Sequence, residues 1–292
     1  MYLRIFLGIL SLLAFDISTQ LEVDARSSTR LTREPITEAF PSRTNFQVTL
    51  PVNTPNATPS QRSGKFQIAD FIKENFRSIP RKPEFTVARK LARLNNKDVV
   101  IFIDKSSSMK TEDMPGGLSR WDWSQKELAN LAYNHRQVTH SRLDVVLFDN
   151  RVTKYSSVNL ASLPNIFSQN YPFGGTNVTG ALKGEIDSFL DSMLAGNKRP
   201  IIMAVITDGA PSSARSLKDL IIKTSHRLKN SPNSVKLTFL QIGQERQGNK
   251  LLPELDHGLV GDGALFDIVD TKTSEEVRRN GLLNSLVDSV GA

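Results

Sequence analysis

Two stretches restrict what this chain can fold into more than anything else in it. Residues 99–103 (Val-Val-Ile-Phe-Ile) and 201–207 (Ile-Ile-Met-Ala-Val-Ile-Thr) are almost entirely apolar, rich in β-branched side chains, and each runs straight into an aspartate, Asp104 and Asp208. A strand that is apolar at successive positions has no solvent face, so it must be covered on both sides. That requirement excludes a half-exposed antiparallel sheet and asks for helices above and below.

The rest of the chain after residue 97 supplies such helices. Further strands are predicted at 143–148, 152–155, 235–242 and 265–269. Helices are predicted at 121–138, 178–194, 214–228 and 274–290, with shorter ones at 160–167 and 249–255. Strands separated by helices predict an α/β fold: a doubly wound, mostly parallel sheet flanked by helices over residues 98–291. No internal repeat is visible.

In an open sheet of this kind ligands bind beyond the carboxyl ends of the strands, where the strand order reverses. Asp104 and Asp208 both stand at such ends. Ser106, Ser107 and Ser108 follow the first aspartate, and alternation along a tight loop puts Ser106 and Ser108 on its side. Gly174-Gly175-Thr176 adds a hydroxyl on a loop able to approach closely. Asp104, Ser106, Ser108, Thr176 and Asp208 are thus an all-oxygen donor set, which suits a hard cation, Mg²⁺ first and Mn²⁺ or Ca²⁺ as alternatives. If the hydroxyls take the inner positions, the ion keeps net positive character and room for a carboxylate from another molecule. Capping of the following helices is the plain alternative for both aspartates, but capping gives no reason for a Gly-Gly-Thr loop between them.

The set resembles the metal-ion-dependent adhesion site of von Willebrand factor A (VWA) domains: Asp-x-Ser-x-Ser on one loop, Thr on a second, Asp on a third. All five positions match in order. The resemblance runs over about residues 97–291, through Phe173–Thr179 (Phe-Gly-Gly-Thr-Asn-Val-Thr), 205–211 (Val-Ile-Thr-Asp-Gly-Ala-Pro) and 266–273, and is nearer to stand-alone secreted microbial or fungal members than to integrins. It implies a Rossmann-like VWA fold, direct coordination by Ser106, Ser108 and Thr176, and action through water for Asp104 and Asp208. It also implies a non-enzymatic adhesion module, whose protein partner offers an acidic Asp or Glu.

Two other functions compete. A metal-dependent phosphatase or phosphotransferase of the haloacid dehalogenase-like type could use an aspartate after the first strand, yet that chemistry wants a second acid two residues on, where Ser106 stands. No Gly-x-x-x-x-Gly-Lys-Ser/Thr loop and no Gly-x-Ser-x-Gly elbow is present. A scaffold with a vestigial metal site is the other. Among lesser features, Asp149 is an outer group of the site or the start of a turn. Trp121 and Trp123 are a partner contact or, for Trp121, a helix edge. His135, His140, His226 and His257 have no ligand spacing. The Asn177-Val178-Thr179 sequon is expected to be unused, since a glycan there would crowd the metal loop.

The N-terminal third has another character. It holds 15 Lys and Arg against 8 Asp and Glu over residues 1–97, leaving 22 of each for 98–292, so the formal charge of +7 belongs to it alone. A neutral domain argues against nucleic acid as a partner. Arg4 followed by apolar residues 5–15 is too short for a bilayer span, which takes about 20 residues, and suits a signal peptide over 1–25 of a secreted, extracellular protein. Residues 26–65, rich in Ser, Thr, Pro, Arg and Asn, are expected to be a disordered linker, with Asn56-Ala57-Thr58 a glycosylation acceptor. Residues 66–97 are expected to form a helical extension, from Phe66, Ile68, Phe71, Ile72 and Phe76 and a second helix over 87–93; it either docks on the edge of the domain or serves a partner or membrane surface. With no cysteine in the chain, disulfides and thiolate chemistry are excluded.

Overall fold

The computed structural model describes residues 47–48, 66–76, 85–139, 141–208, 211–243 and 246–290. The expected signal peptide, most of the expected linker, Asn56 and His140 lie outside them.

The apolar run becomes the central strand β2 (Asp98–Asp104), buried at every position. It pairs in parallel with β3 (Leu143–Phe148) on one side and β5 (Ile201–Thr207) on the other. Beyond β3 lies the antiparallel β4 (Val152–Tyr155); beyond β5 lie β6 (Val235–Gln241) and β7 (Val269–Lys272), both parallel. A two-residue strand β1 (Gln47–Val48) pairs in parallel with β4, giving the order β1-β4-β3-β2-β5-β6-β7. The expected doubly wound, mostly parallel α/β sheet is therefore present.

Alternation along β2 divides the core. Val99, Ile101 and Ile103 face a layer formed by α1 (Ile68–Phe76), α2 (Phe85–Leu91), α3 (Arg120–Val138), α4 (Leu163–Ser168) and α8 (Ser274–Val290). Val100 and Phe102 face α5 (Val178–Leu194), α6 (Ala214–Arg227) and α7 (Arg246–His257). Successive strand side chains point to opposite faces, which is why no polar position was possible inside the strand. The chain leaves β2 toward β3 and leaves β5 toward β6, so the order reverses between β2 and β5, the position at whose carboxyl ends sheets of this kind bind ligands.

Several boundaries differ from expectation. Gln47–Val48 lies within the expected linker but adds to the outer edge of β4, where unpaired backbone groups would otherwise be open. The last strand begins at Val269, not 265: Leu265 donates its N–H to the Ser225 hydroxyl and Asp267 caps the Val269 N–H, so 265–268 is an irregular approach. The first short helix starts at Leu163, because Asn159 and Ser162 close a turn ahead of Pro164. The final helix is broken at Gly281, with φ 72° and ψ 173°.

Residues 66–97 dock on the sheet's first layer. Ile68, Leu91 and Leu94 are buried in the core shared with β2, and Phe66, Phe71 and Phe76 run as an aromatic ladder onto Tyr133 of α3. Among the described residues no helix is long and apolar enough to cross a membrane.

Candidate metal centre

Asp104 ends β2 and is fully buried. Its Oδ1 accepts the Ser106 N–H at 2.7 Å and its Oδ2 accepts the Thr207 hydroxyl at 2.9 Å, which joins the ends of β2 and β5. Burial pushes its carboxyl up to about 6, against the lowering effect of the Ser106 hydrogen bonds, and Asp208 adds to the rise. A buried carboxylate with that balance is short of positive charge.

The expected alternation holds in the loop that follows. The Ser106 and Ser108 hydroxyls meet at 3.0 Å, with Ser106 buried and Ser108 exposed. Ser107 turns the other way and clasps the second loop: its N–H donates to the Gly174 carbonyl and its hydroxyl accepts the Gly174 N–H, both at 3.1 Å. Phe173 N–H to the Lys105 carbonyl, 2.7 Å, completes the clasp. Glycine is needed here. Gly174 has φ +85°, and a Cβ on Gly175 would stand 2.9 Å from the Asn150 side-chain oxygen.

Thr176 follows. Its carbonyl accepts both the N–H and, at 2.7 Å, the hydroxyl of Ser212, so the second loop is tied to the third. Its own hydroxyl has no hydrogen-bond partner among the described residues. Asn177 then caps α5 through the Gly180 N–H. Hydrogen bonds thus join the three loops, which carry Asp104, Ser106, Ser108, Thr176 and Asp208 at the carboxyl-end side of β2 and β5.

Asp208 is where the geometry adds something new. It is 1% exposed, and its Oδ2 accepts Arg120 Nη1 at 2.7 Å. Arg120, the first residue of α3 and 4% exposed, also grips Asp113 with Nε at 3.0 Å and Nη2 at 2.8 Å. This bidentate bond holds the Asp113 carboxyl below its ordinary value. Arg278 stands 3.5 Å from the same carboxylate. Gly243 roofs the guanidinium: a Cβ there would lie 2.5 Å from its central carbon. Neither Arg120 nor Asp113 belongs to the five-position pattern. No local signal marks Arg120 in the sequence: the expected helix begins at 121, and both carboxylate partners lie outside it.

The donor set fits a hard cation. Two ligands at right angles, each about 2.1 Å from an octahedral ion, lie about 3.0 Å apart, the separation of the Ser106 and Ser108 hydroxyls. The Asp104 oxygens each carry one hydrogen bond and retain lone pairs for bound water. Among the described residues no group of three His, Asp or Glu side chains could hold an ion, so an ion here would rely on hydroxyls.

The lesser candidates resolve simply. Asp149 is engaged by Lys105 Nζ at 2.5 Å and starts a turn by accepting the Arg151 N–H. Trp121 and Trp123 are buried, Trp121 edge-on to Phe167 of α4. His135 is buried, and His226 bonds the Gly263 carbonyl. In contrast, Tyr171 and Phe173, on the second loop, are 64% and 70% exposed.

No protein-family model and no curated protein sequence matches the chain. Solved structures with a similar fold include proximal thread matrix protein 1 from the mussel byssus, at 18% identity and TM-score 0.44, over 67% of this chain and 48% of that one. Manganese-loaded TRAP protein of Plasmodium vivax is similar at 15% identity and TM-score 0.40, over 64% and 72% of the two chains. The BatB protein of Bacteroides thetaiotaomicron is similar at 13% identity and TM-score 0.44, over 67% and 100%. The chain spans about half the length of the mussel protein. The fold assignment rests on strand order and register, not on these likenesses.

Proposed function

We propose that the protein is a VWA-type, non-enzymatic binding module that holds a divalent cation at its loop rim and, through it, an acidic group on a protein partner outside the cell. The observation that carries this is the pair of serine hydroxyls 3.0 Å apart beside the buried Asp104 carboxylate. Asp104, Ser106, Ser108, Thr176 and Asp208 hold the ion, Mg²⁺ or its close analogue Mn²⁺. When bound, the ion supplies an electrophilic position for a partner's Asp or Glu. Exposed Tyr171 and Phe173 stand on the loop that carries Thr176 and offer apolar contact around the acid.

A scaffold that binds no ion is favoured by one observation, the Arg120 guanidinium already bonded to Asp208. Titration with Mn²⁺ followed by electron paramagnetic resonance separates the two. The binding module takes up Mn²⁺, and Ser106→Ala or Thr176→Ala weakens uptake by roughly tenfold or more. No uptake at millimolar Mn²⁺ by either the intact protein or Arg120→Gln overturns the proposal. Any partner captured by the intact protein is expected to be lost with chelator and with Thr176→Ala alike.

A further inference from the structure

Arg120 places a permanent positive charge where the proposed ion needs a negative one. Asp208 and Arg120 are 1% and 4% exposed, so water screens their charges little. A divalent ion near Asp208 would meet both the competing bond and the repulsion of the guanidinium.

Among the described residues, two carboxylates give that guanidinium a station each. Asp113 holds it from one side through two parallel bonds, with its own side chain about one-third exposed. Asp208 holds it from the other through a single bond. Release of Asp208 would leave the bidentate grip on Asp113 intact, so the arginine could withdraw without losing its main partner. Gly243 keeps the pocket open for it: any side chain at this position would strike the guanidinium. Because Arg120 is buried, it is placed to act on Asp208 and not on a partner's carboxylate.

We propose that Arg120 is a built-in counter-cation that competes with the divalent ion for Asp208, so the site passes between an arginine-held form and a metal-held form. This rests on the metal-binding reading above. Its consequence is weak intrinsic metal affinity, since the metal-competent form is only part of the population and the apparent dissociation constant rises accordingly. A partner that favours the metal-held form would bind ion and protein cooperatively.

The test compares Mn²⁺ dissociation constants of the intact protein, Arg120→Gln, Arg120→Met and the double variant Arg120→Gln/Ser106→Ala. Arg120→Gln removes the rival charge, and Arg120→Met does so without leaving Asp208 an amide to bond. Both single variants are expected to bind Mn²⁺ roughly tenfold tighter or more, within the usual range of site coupling, and the double variant to lose that gain. Melting temperatures add a second readout. In chelator, Arg120→Gln melts lower than the intact protein, and saturating Mn²⁺ raises its melting temperature by the larger amount. If the intact protein binds Mn²⁺ and the variants bind it no tighter, the competition is overturned and the metal site stands. If none of the four proteins binds Mn²⁺, the metal reading itself fails. Should Arg120→Gln not fold, Arg120→Met decides alone by the same criterion.

Discussion

His135 lies on the buried face of α3 with its Nε2 2.9 Å from the Thr139 hydroxyl, and burial depresses its pKa to about 4. In the unfolded chain a histidine titrates near 6.5. Below that pH the unfolded chain takes up a proton that the folded chain refuses, so stability is full above pH 6.5 and declines as pH falls toward 4. The whole loss is on the order of 3–4 kcal/mol at most, taking about 1.4 kcal/mol per pH unit. His135→Gln is expected to flatten it: the urea midpoint of the variant should fall less between pH 7 and pH 4.5 than that of the intact protein. An equal fall in both would place the acid sensitivity elsewhere. The same scale shows what a sequence discloses. Asp104, Ser106, Ser108, Thr176 and Asp208 were legible because their spacing and strand-end positions are local properties. Arg120 was not, because its meaning depends on Asp208, 88 residues away, and a ligand pattern in oxygen atoms says nothing of an internal cation.

At the level of elements, the break in α8 shows how a local signal can be overruled by helical periodicity. Asn280-Gly281 is a turn dipeptide, yet it sits in a run whose apolar spacing reads as continuous helix. Gly281 takes φ 72°, and the Leu282 N–H, which loses its helical acceptor at the break, donates instead to Glu127 Oε2 of α3 at 3.0 Å. A Cβ on Gly281 would stand 2.8 Å from that same oxygen. Gly281→Ala therefore combines left-handed strain, about 1–2 kcal/mol, with displacement of the acceptor. Its expected cost is about 2–3 kcal/mol in chemical denaturation. Glu127→Ala removes the acceptor alone, so the two changes share a partner and their costs should not add. Additive costs in the double variant would show that the Glu127 contact does not hold the kink. The strand that starts at Val269 instead of 265 has a similar origin, since the preceding apolar residues are held by Ser225 of α6 rather than by the ladder.

For the whole molecule, the order of the strands was not contained in any one segment. Alternating strands and helices announced a parallel sheet, but only the structure shows that the chain steps left to β3 and β4 before returning right to β5, which sets the reversal of strand order between Asp104 and Asp208. Nor did the sequence show how far the unit extends toward the N-terminus. The helices α1 and α2 cover the layer formed by α3 and α8: Leu91 and Leu94 have no exposed surface and Ile68 is nearly covered. Burying one such aliphatic side chain is worth about 1.5–3 kcal/mol, and the ladder from Phe66 to Tyr133 adds aromatic contacts with ring centroids 4.5–5.8 Å apart. Their sum is comparable with the whole stability of an ordinary domain, about 5–15 kcal/mol. A chain beginning at Asp98 is accordingly expected to melt far lower than the full chain or to aggregate through the uncovered face, while one beginning at Phe66 should melt within a few degrees of it. Differential scanning calorimetry with light scattering on the three lengths makes the comparison. Equal melting of the chain from Asp98 would mean that β2 through α8 fold without the cover, and that the N-terminal helices are an accessory laid on a finished domain.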